Sequence, residues 1–257
     1  MSSSAAMVMC VSLLALGFGG PQIEVLNVNG VKREAEVYAP AKKTKNPPIV
    51  FAWHPHGGTM VGAANLFKIQ QYWPEAVVVY PQGLKTKSPV DPQGHTFGWQ
   101  RVEGDDGDRD LKFFDALYAK MDQQFSFNHK RCYSMGFSNG AFFTYLLWHV
   151  DGDKLAAASM AAASIDDPNK PLKPLPVFVI AGTHDTTVQF SDQRTAIMYD
   201  RQVDGVPTNA TPQISNGIRH FHGSKADLNT YIHQGGHIYP PSMSPFVVLF
   251  FKNHPQP

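Results

Sequence analysis

The pentapeptide Gly136-Phe137-Ser138-Asn139-Gly140 constrains this chain more than any other feature. It stands between an apolar run (131–135) and a helical run (141–148), so it reads as a sharp turn from a β-strand into an α-helix. Glycine at each flank suits a turn too tight for a Cβ. The serine is then carried at the tip of a strained turn, hydroxyl outward, with the next backbone N–H beside it. Such a turn needs a strand behind it and a helix after it, which points to an α/β chain.

The rest of the pattern agrees. Residues 23–27 and 33–38 read as strands around Asn29-Gly30, a strong hairpin signal. Residues 49–53, 76–80, 155–163, 177–181 and 228–233 read as apolar strands, and 63–72, 111–123, 189–201 and 245–253 as helices. Residues 84–104 read as a long irregular stretch carrying Phe97 and Trp99, and 200–216 as a polar surface loop. Short apolar strands alternating with helices predict a mostly parallel sheet covered on both faces, with the early hairpin antiparallel at one edge. The chain has 257 residues, 43% of them hydrophobic and 17% charged, which fits one domain with a full core over 21–257.

Net charge is +1 and no basic run occurs, so neither nucleic acid nor an acidic membrane surface is an expected partner. The two cysteines, Cys10 and Cys132, make neither a disulfide framework nor a metal site, and Cys132 is expected to be a small buried residue. Residues 5–18 form an apolar stretch too short to span a bilayer comfortably, and Ala15-Leu16-Gly17 resembles a signal-peptidase site, although no Lys or Arg precedes the stretch. A leader over 1–20 and a secreted or periplasmic protein are expected, or a cytoplasmic one if the segment is not a signal peptide.

A serine hydroxyl attacks carbonyl groups only with a base beside it and a carboxylate orienting that base. Open α/β sheets gather such groups beyond the carboxyl ends of strands. Asp185 follows the strand 177–181 in the turn Gly182-Thr183-His184-Asp185, and His237 follows 228–233 after Gly235-Gly236. The chain order Ser138, Asp185, His237 is that of a serine-hydrolase triad on a parallel sheet. Two N–H groups should face the developing oxyanion. One is that of Asn139, and the other lies in the loop His56-Gly57-Gly58-Thr59, with Gly58 first and Thr59 its neighbour. Metal chemistry fits less well: His54-x-His56 and His220-x-His222 lack a third ligand of matching context. Asp106-x-Asp108-x-Asp110 has leucine at the glycine and twelfth positions of a calcium loop. Those acidic residues are expected to cap the helix that follows. No cofactor and no metal are expected.

Several segments together resemble the polyhydroxybutyrate-depolymerase-like and feruloyl esterase family of α/β-hydrolases. They are His56-Gly57-Gly58, Val79-Tyr80-Pro81-Gln82-Gly83, Gly98-Trp99-Gln100, the acidic stretch before Leu111-Lys112-Phe113-Phe114, Gly136 to Gly140, Gly182-Thr183-His184-Asp185, and Gly235-Gly236-His237-Ile238-Tyr239-Pro240. The resemblance covers about 23–255 and implies an α/β-hydrolase fold, here without a large lid domain. It makes Ser138 the nucleophile, Asp185 the orienter and His237 the base of a cofactor-free ester hydrolase. The implied substrate is a polymer-borne ester, first a feruloyl ester of the plant cell wall. A polyhydroxyalkanoate or other polyester and acetyl xylan are the alternatives. Gly58 replaces a cysteine frequent in the family, and Tyr239 a frequent tryptophan. Trp99, Tyr239 and Phe97 are candidate aromatic walls for a phenolic acyl group. A peptidase or acyltransferase on the same triad, and a non-catalytic binding protein, are the other readings weighed.

Overall fold

The computed structural model describes residues 20–41, 44–166 and 171–257; the leader read over 1–20 lies, save for Gly20, outside them. Strands β1 (Gln22–Val28) and β2 (Val31–Tyr38) form the expected hairpin, with Asn29 and Gly30 at φ 53° and 83° as a two-residue turn demands. Strand β3 (Ile49–Trp53) leads to helices α1 (Met60–Phe67) and α2 (Ile69–Tyr72), and then to β4 (Val77–Pro81). The helix expected over 63–72 is thus two, broken at Lys68, whose φ is 51°. The stretch 84–104 holds a small ladder of β5 (Leu84–Lys85) and β6 (Phe97–Gly98).

Helix α3 (Arg109–Phe125), β7 (Cys132–Phe137), α4 (Asn139–Asp151), β8 (Ala157–Ala161), β9 (Val177–Gly182) and α5 (Phe190–Val203) follow. Two strands that the sequence reading lacked come next, β10 (Gln213–Ser215) and β11 (Ile218–His222), before β12 (Asp227–His233) and α6 (Ser244–Asn253).

The main sheet has ten strands in the order β1-β2-β4-β3-β7-β8-β9-β12-β11-β10. Its centre, β4 to β12, is parallel, and both edges are antiparallel hairpins. Side chains alternate across it as the strand period requires. Ile49, Phe51 and Trp53 of β3 join the core formed with α3, α4 and α5. Val50 and Ala52 join the opposite core, with α1, α2 and α6. Cys132 is buried and unpaired.

The acidic stretch before α3 does not cap it in the expected way. Asp108 makes no side-chain cap bond to α3; its Oδ1 accepts from the Gly104 N–H and from Gln100 Nε2. Asp110 is fully buried and pairs with buried Arg33 at 2.7 Å, while its other oxygen accepts the Gln100 N–H at 2.9 Å. The guanidinium also lies 4.0 Å from the Phe113 ring centre. The charges therefore anchor β2 to the start of α3 through a paired, hydrogen-bonded contact, the form in which buried charge is tolerated.

Candidate active site

Strand β7 ends beside β3 and β8, and α4 begins at once. Ser138, between them, has φ 53° and ψ −124°. A side chain held there costs about 1–3 kcal/mol and persists only where the surroundings over-determine it. Those surroundings are visible. The Ser138 N–H donates to the Ala161 carbonyl at 2.8 Å, and its own carbonyl accepts from the N–H groups of Ala141 and Phe142 at 2.8 and 3.0 Å. A Cβ on Gly136 would lie 2.2 Å from the Gly140 backbone, and one on Gly140 would lie 2.3 Å from the Trp53 carbonyl oxygen. Both glycines are there because main chain meets main chain.

The structure brings Ser138, His237 and Asp185 together. Ser138 Oγ is 2.8 Å from His237 Nε2, and His237 Nδ1 is 2.8 Å from Asp185 Oδ2. Adjacent strands β9 and β12 deliver the acid and the imidazole, and Gly182 lets their loops meet, because a Cβ there would press on the Gly235 and Gly236 carbonyls. Asp185 is buried and its carboxylate is fully engaged. Oδ1 accepts the Thr187 and Val188 N–H groups at 2.8 and 2.9 Å, and Oδ2 also accepts Gln193 Nε2 at 2.9 Å. A carboxylate acceptor places the ring proton on Nδ1, which leaves Nε2 to accept from the serine hydroxyl.

Gln193 is the site residue that the sequence did not disclose. It lies buried on α5 and also donates to the Val188 carbonyl at 2.7 Å. Nothing in a helical glutamine eight positions after an aspartate marks it.

The loop after β3 corrects the first choice of oxyanion donor. The Gly58 N–H closes a turn onto the Pro55 carbonyl at 2.9 Å, and the Gly57 N–H donates to the Phe97 carbonyl at 2.7 Å. The Met60 N–H is taken by Gln82 Oε1. Thr59, the N-cap of α1, has no protein acceptor for its N–H among the described residues. The same holds for the Asn139 N–H, as the first turn of a helix leaves its donors unpaired. His54, at the root of the loop, accepts the Gly83 N–H at Nε2, and burial pushes its imidazole down to about 4. It is a neutral structural residue.

Two of the aromatic walls expected from sequence are core residues. Trp99 is fully buried, with its ring 5.0 Å from Trp53 and 5.5 Å from Phe143, and its indole N–H donates to the His54 carbonyl. Tyr239 is 4% exposed, packs edge-on against Phe67 at 4.8 Å and shares a hydrogen bond with Ser244. Only Phe97, 38% exposed, keeps a free face.

No protein-family model matches the chain. A bifunctional acetylxylan esterase/xylanase of Neocallimastix patriciarum is 27% identical over 209 residues, covering 78% of this chain and 26% of that protein. The chain thus spans about a quarter of that relative's length. Among solved structures, the acetyl xylan esterase from Aspergillus awamori superposes with a TM-score of 0.62 at 16% identity, over 88% of this chain and 99% of that one. A Bacillus cereus carboxylesterase gives 0.61 at 16% identity, over 86% and 94%. A cold-adapted esterase from an Arctic intertidal metagenomic library gives 0.63 at 12% identity, over 92% and 94%. The fold is that of the α/β-hydrolases.

Proposed function

We propose that the chain is a serine carboxylic-ester hydrolase that removes short acyl groups, acetyl first, from plant cell-wall polysaccharide. The observation that carries the reaction is the continuous relay Ser138–His237–Asp185, with 2.8 Å at both links, ending at a strained elbow. Ser138 Oγ attacks the ester carbonyl while its proton passes to His237 Nε2. Asp185 steadies the imidazolium, and the Asn139 and Thr59 N–H groups receive the negative oxygen. Collapse breaks the acyl–oxygen bond, and His237 returns the proton to the departing sugar hydroxyl. A water then repeats the sequence on the acyl-enzyme, releasing the acid and restoring Ser138. No cofactor enters.

Two things support the acetyl reading: the name borne by the Neocallimastix relative, and burial of Trp99 and Tyr239, which takes away the aromatic walls that a phenolic acyl group would use. A feruloyl ester is the second reading, favoured by the open face of Phe97. Polyester cleavage has the resemblance alone behind it. A polysaccharide substrate lies outside the cell, in keeping with an exported protein.

The test compares kcat/KM on acetylated xylooligosaccharide, methyl ferulate and a hydroxybutyrate oligomer, with Ser138→Ala as control. The acetyl ester should lead, and the variant should lose on the order of 10⁶-fold in kcat. Preference for ferulate would move the assignment to the second reading. Failure of Ser138 to take a fluorophosphonate label, with no turnover of any ester, would end the hydrolase reading.

A further inference from the structure

We infer that an open cleft of about 430 Å³, lined by residues of the chain segments that carry Ser138 and Asp185, receives the carbohydrate part of the ester as a run of neutral sugar units. For the reaction this rests on the ester-hydrolase reading; the binding stands on its own.

Position is the first ground. Ser164 and Asp166 follow β8, Thr187 follows β9, Phe142 lies in the first turn of α4, and Arg101 and Asp192 are among the other wall residues. These segments hold Ser138 and Asp185. The Phe142 N–H donates to the Ser138 carbonyl at 3.0 Å, and the Thr187 N–H to Asp185 at 2.8 Å. The Ala161 carbonyl, at the end of β8, takes the Ser138 N–H. A ligand in the cleft therefore lies against the chain segments that carry nucleophile and acid, at the end of the sheet where α/β sites form.

Chemistry is the second ground. The Arg101 guanidinium stacks 3.7 Å from the Phe142 ring centre and pairs with Asp166 through two nitrogens, Nε to Oδ2 at 2.7 Å and Nη2 to Oδ1. Its charge is matched in place, and Asp192 makes the walls net negative, which disfavours a uronic acid or any other anion. The Thr187 hydroxyl can donate and accept, while the Ser164 hydroxyl, which donates to the Asp192 carbonyl at 3.0 Å, and the Asp192 carboxylate offer acceptors suited to sugar hydroxyls. The planar guanidinium and Val188 suit the apolar face of a pyranose. The volume falls in the range of small-ligand sites, and the cleft is open to solvent, as a polymer requires.

The test uses Thr195→Trp, which fills the cleft from the exposed face of α5, on acetylated xylotetraose and on p-nitrophenyl acetate. KM for the oligosaccharide should rise about tenfold, while kcat/KM for the small ester stays within about twofold. An unchanged KM, or an equal loss on both esters, overturns the proposal; equal loss would place the acyl group in the cleft instead. Titration of Ser138→Ala with xylotetraose should shift the amide signals of residues 164–166 and 187–195, and no shift there at saturating sugar overturns it as well. If the wild type cleaves neither ester, the hydrolase reading fails, and the titration alone decides the cleft.

Discussion

Asn139 and Trp99 hold each other in both directions: the Asn139 carboxamide accepts the Trp99 N–H at 2.7 Å and donates to the Trp99 carbonyl at 3.0 Å. The Trp99 indole in turn reaches the His54 carbonyl. The elbow, the loop after β3 and the stretch before α3 are thereby one hydrogen-bonded unit. The backbone N–H proposed for the oxyanion belongs to a residue immobilised by its own side chain.

Asn139→Ala should therefore act on rate as well as stability. It strands the buried N–H and carbonyl of Trp99, at a cost of about 1–3 kcal/mol. Steady-state kinetics should show kcat lower by about tenfold or more with KM little changed, because donor placement matters most in the transition state. A fall in Tm with kcat intact would reduce Asn139 to a packing residue.

Gln193→Leu removes the hydrogen bonds to Asp185 and to the Val188 carbonyl and leaves the Thr187 and Val188 N–H bonds to Asp185 in place. The expected loss is about tenfold in kcat, since the carboxylate works by orienting His237. Gln193→Glu should lose more, because it sets a second negative charge against the first. Wild-type activity in both variants would refute a positioning role.

Gly140→Ala should be among the most damaging single changes, above about 3 kcal/mol by urea denaturation, because the added carbon meets rigid backbone. Gly30→Ala, with open space but φ 83°, should cost only about 1 kcal/mol. Similar midpoints for the two would contradict the backbone contact at the elbow.

Buried carboxyls and a buried imidazole tilt stability against pH in opposite senses. Burial pushes the Asp204 carboxyl up to about 8, and neighbouring Asp200, hydrogen-bonded to Tyr145, is raised for the same reason. The folded protein keeps a proton that the unfolded chain releases, so stability present at acid pH is lost as pH rises from the ordinary carboxyl value through about 8. His54 works the other way: stability present above the ordinary imidazole value is lost as pH falls through about 4. Asp204→Asn keeps an oxygen for the Leu175 N–H and should raise Tm at pH 8 by about 2–4 °C or more. At pH 4 it should gain little; an equal gain at both values would exclude proton linkage as the cause.

Elements fixed by local chemistry were legible in the sequence. Asn29-Gly30 announces its hairpin, the Val77–Pro81 strand shows in its unbroken apolar run, and the placement of Ser138, Asp185 and His237 in hydrogen-bond reach of one another follows from glycine-flanked turns after strands. Asn216-Gly217, at φ 52° and 76°, is the same turn signal at the opposite sheet edge. Its flanks do not mark it as a hairpin, because Gln213–Ser215 is short and exposed and Ile218–His222 alternates with histidine and arginine, so neither strand shows an apolar face. The aromatic residues misled for another reason. Trp99 and Tyr239 stand in turn-rich sequence, and only the distant Trp53, Phe143 and Phe67 decide that they are core. Gln193 and the carboxamide of Asn139 depend on partners across the fold, which no local pattern encodes.

The torsion at Ser138 sets a limit on how such a chain adapts to heat. Glycine would occupy φ 53° and ψ −124° with less strain, so the sturdiest elbow is one without a hydroxyl. Endurance and the proposed turnover draw on the same bond rotation there, and a population selected for survival alone would drift toward a protein without the hydroxyl. Heat resistance that preserves the proposed activity has to come from places that leave Ser138 alone, of which the buried acid at the end of α5 is the nearest to hand.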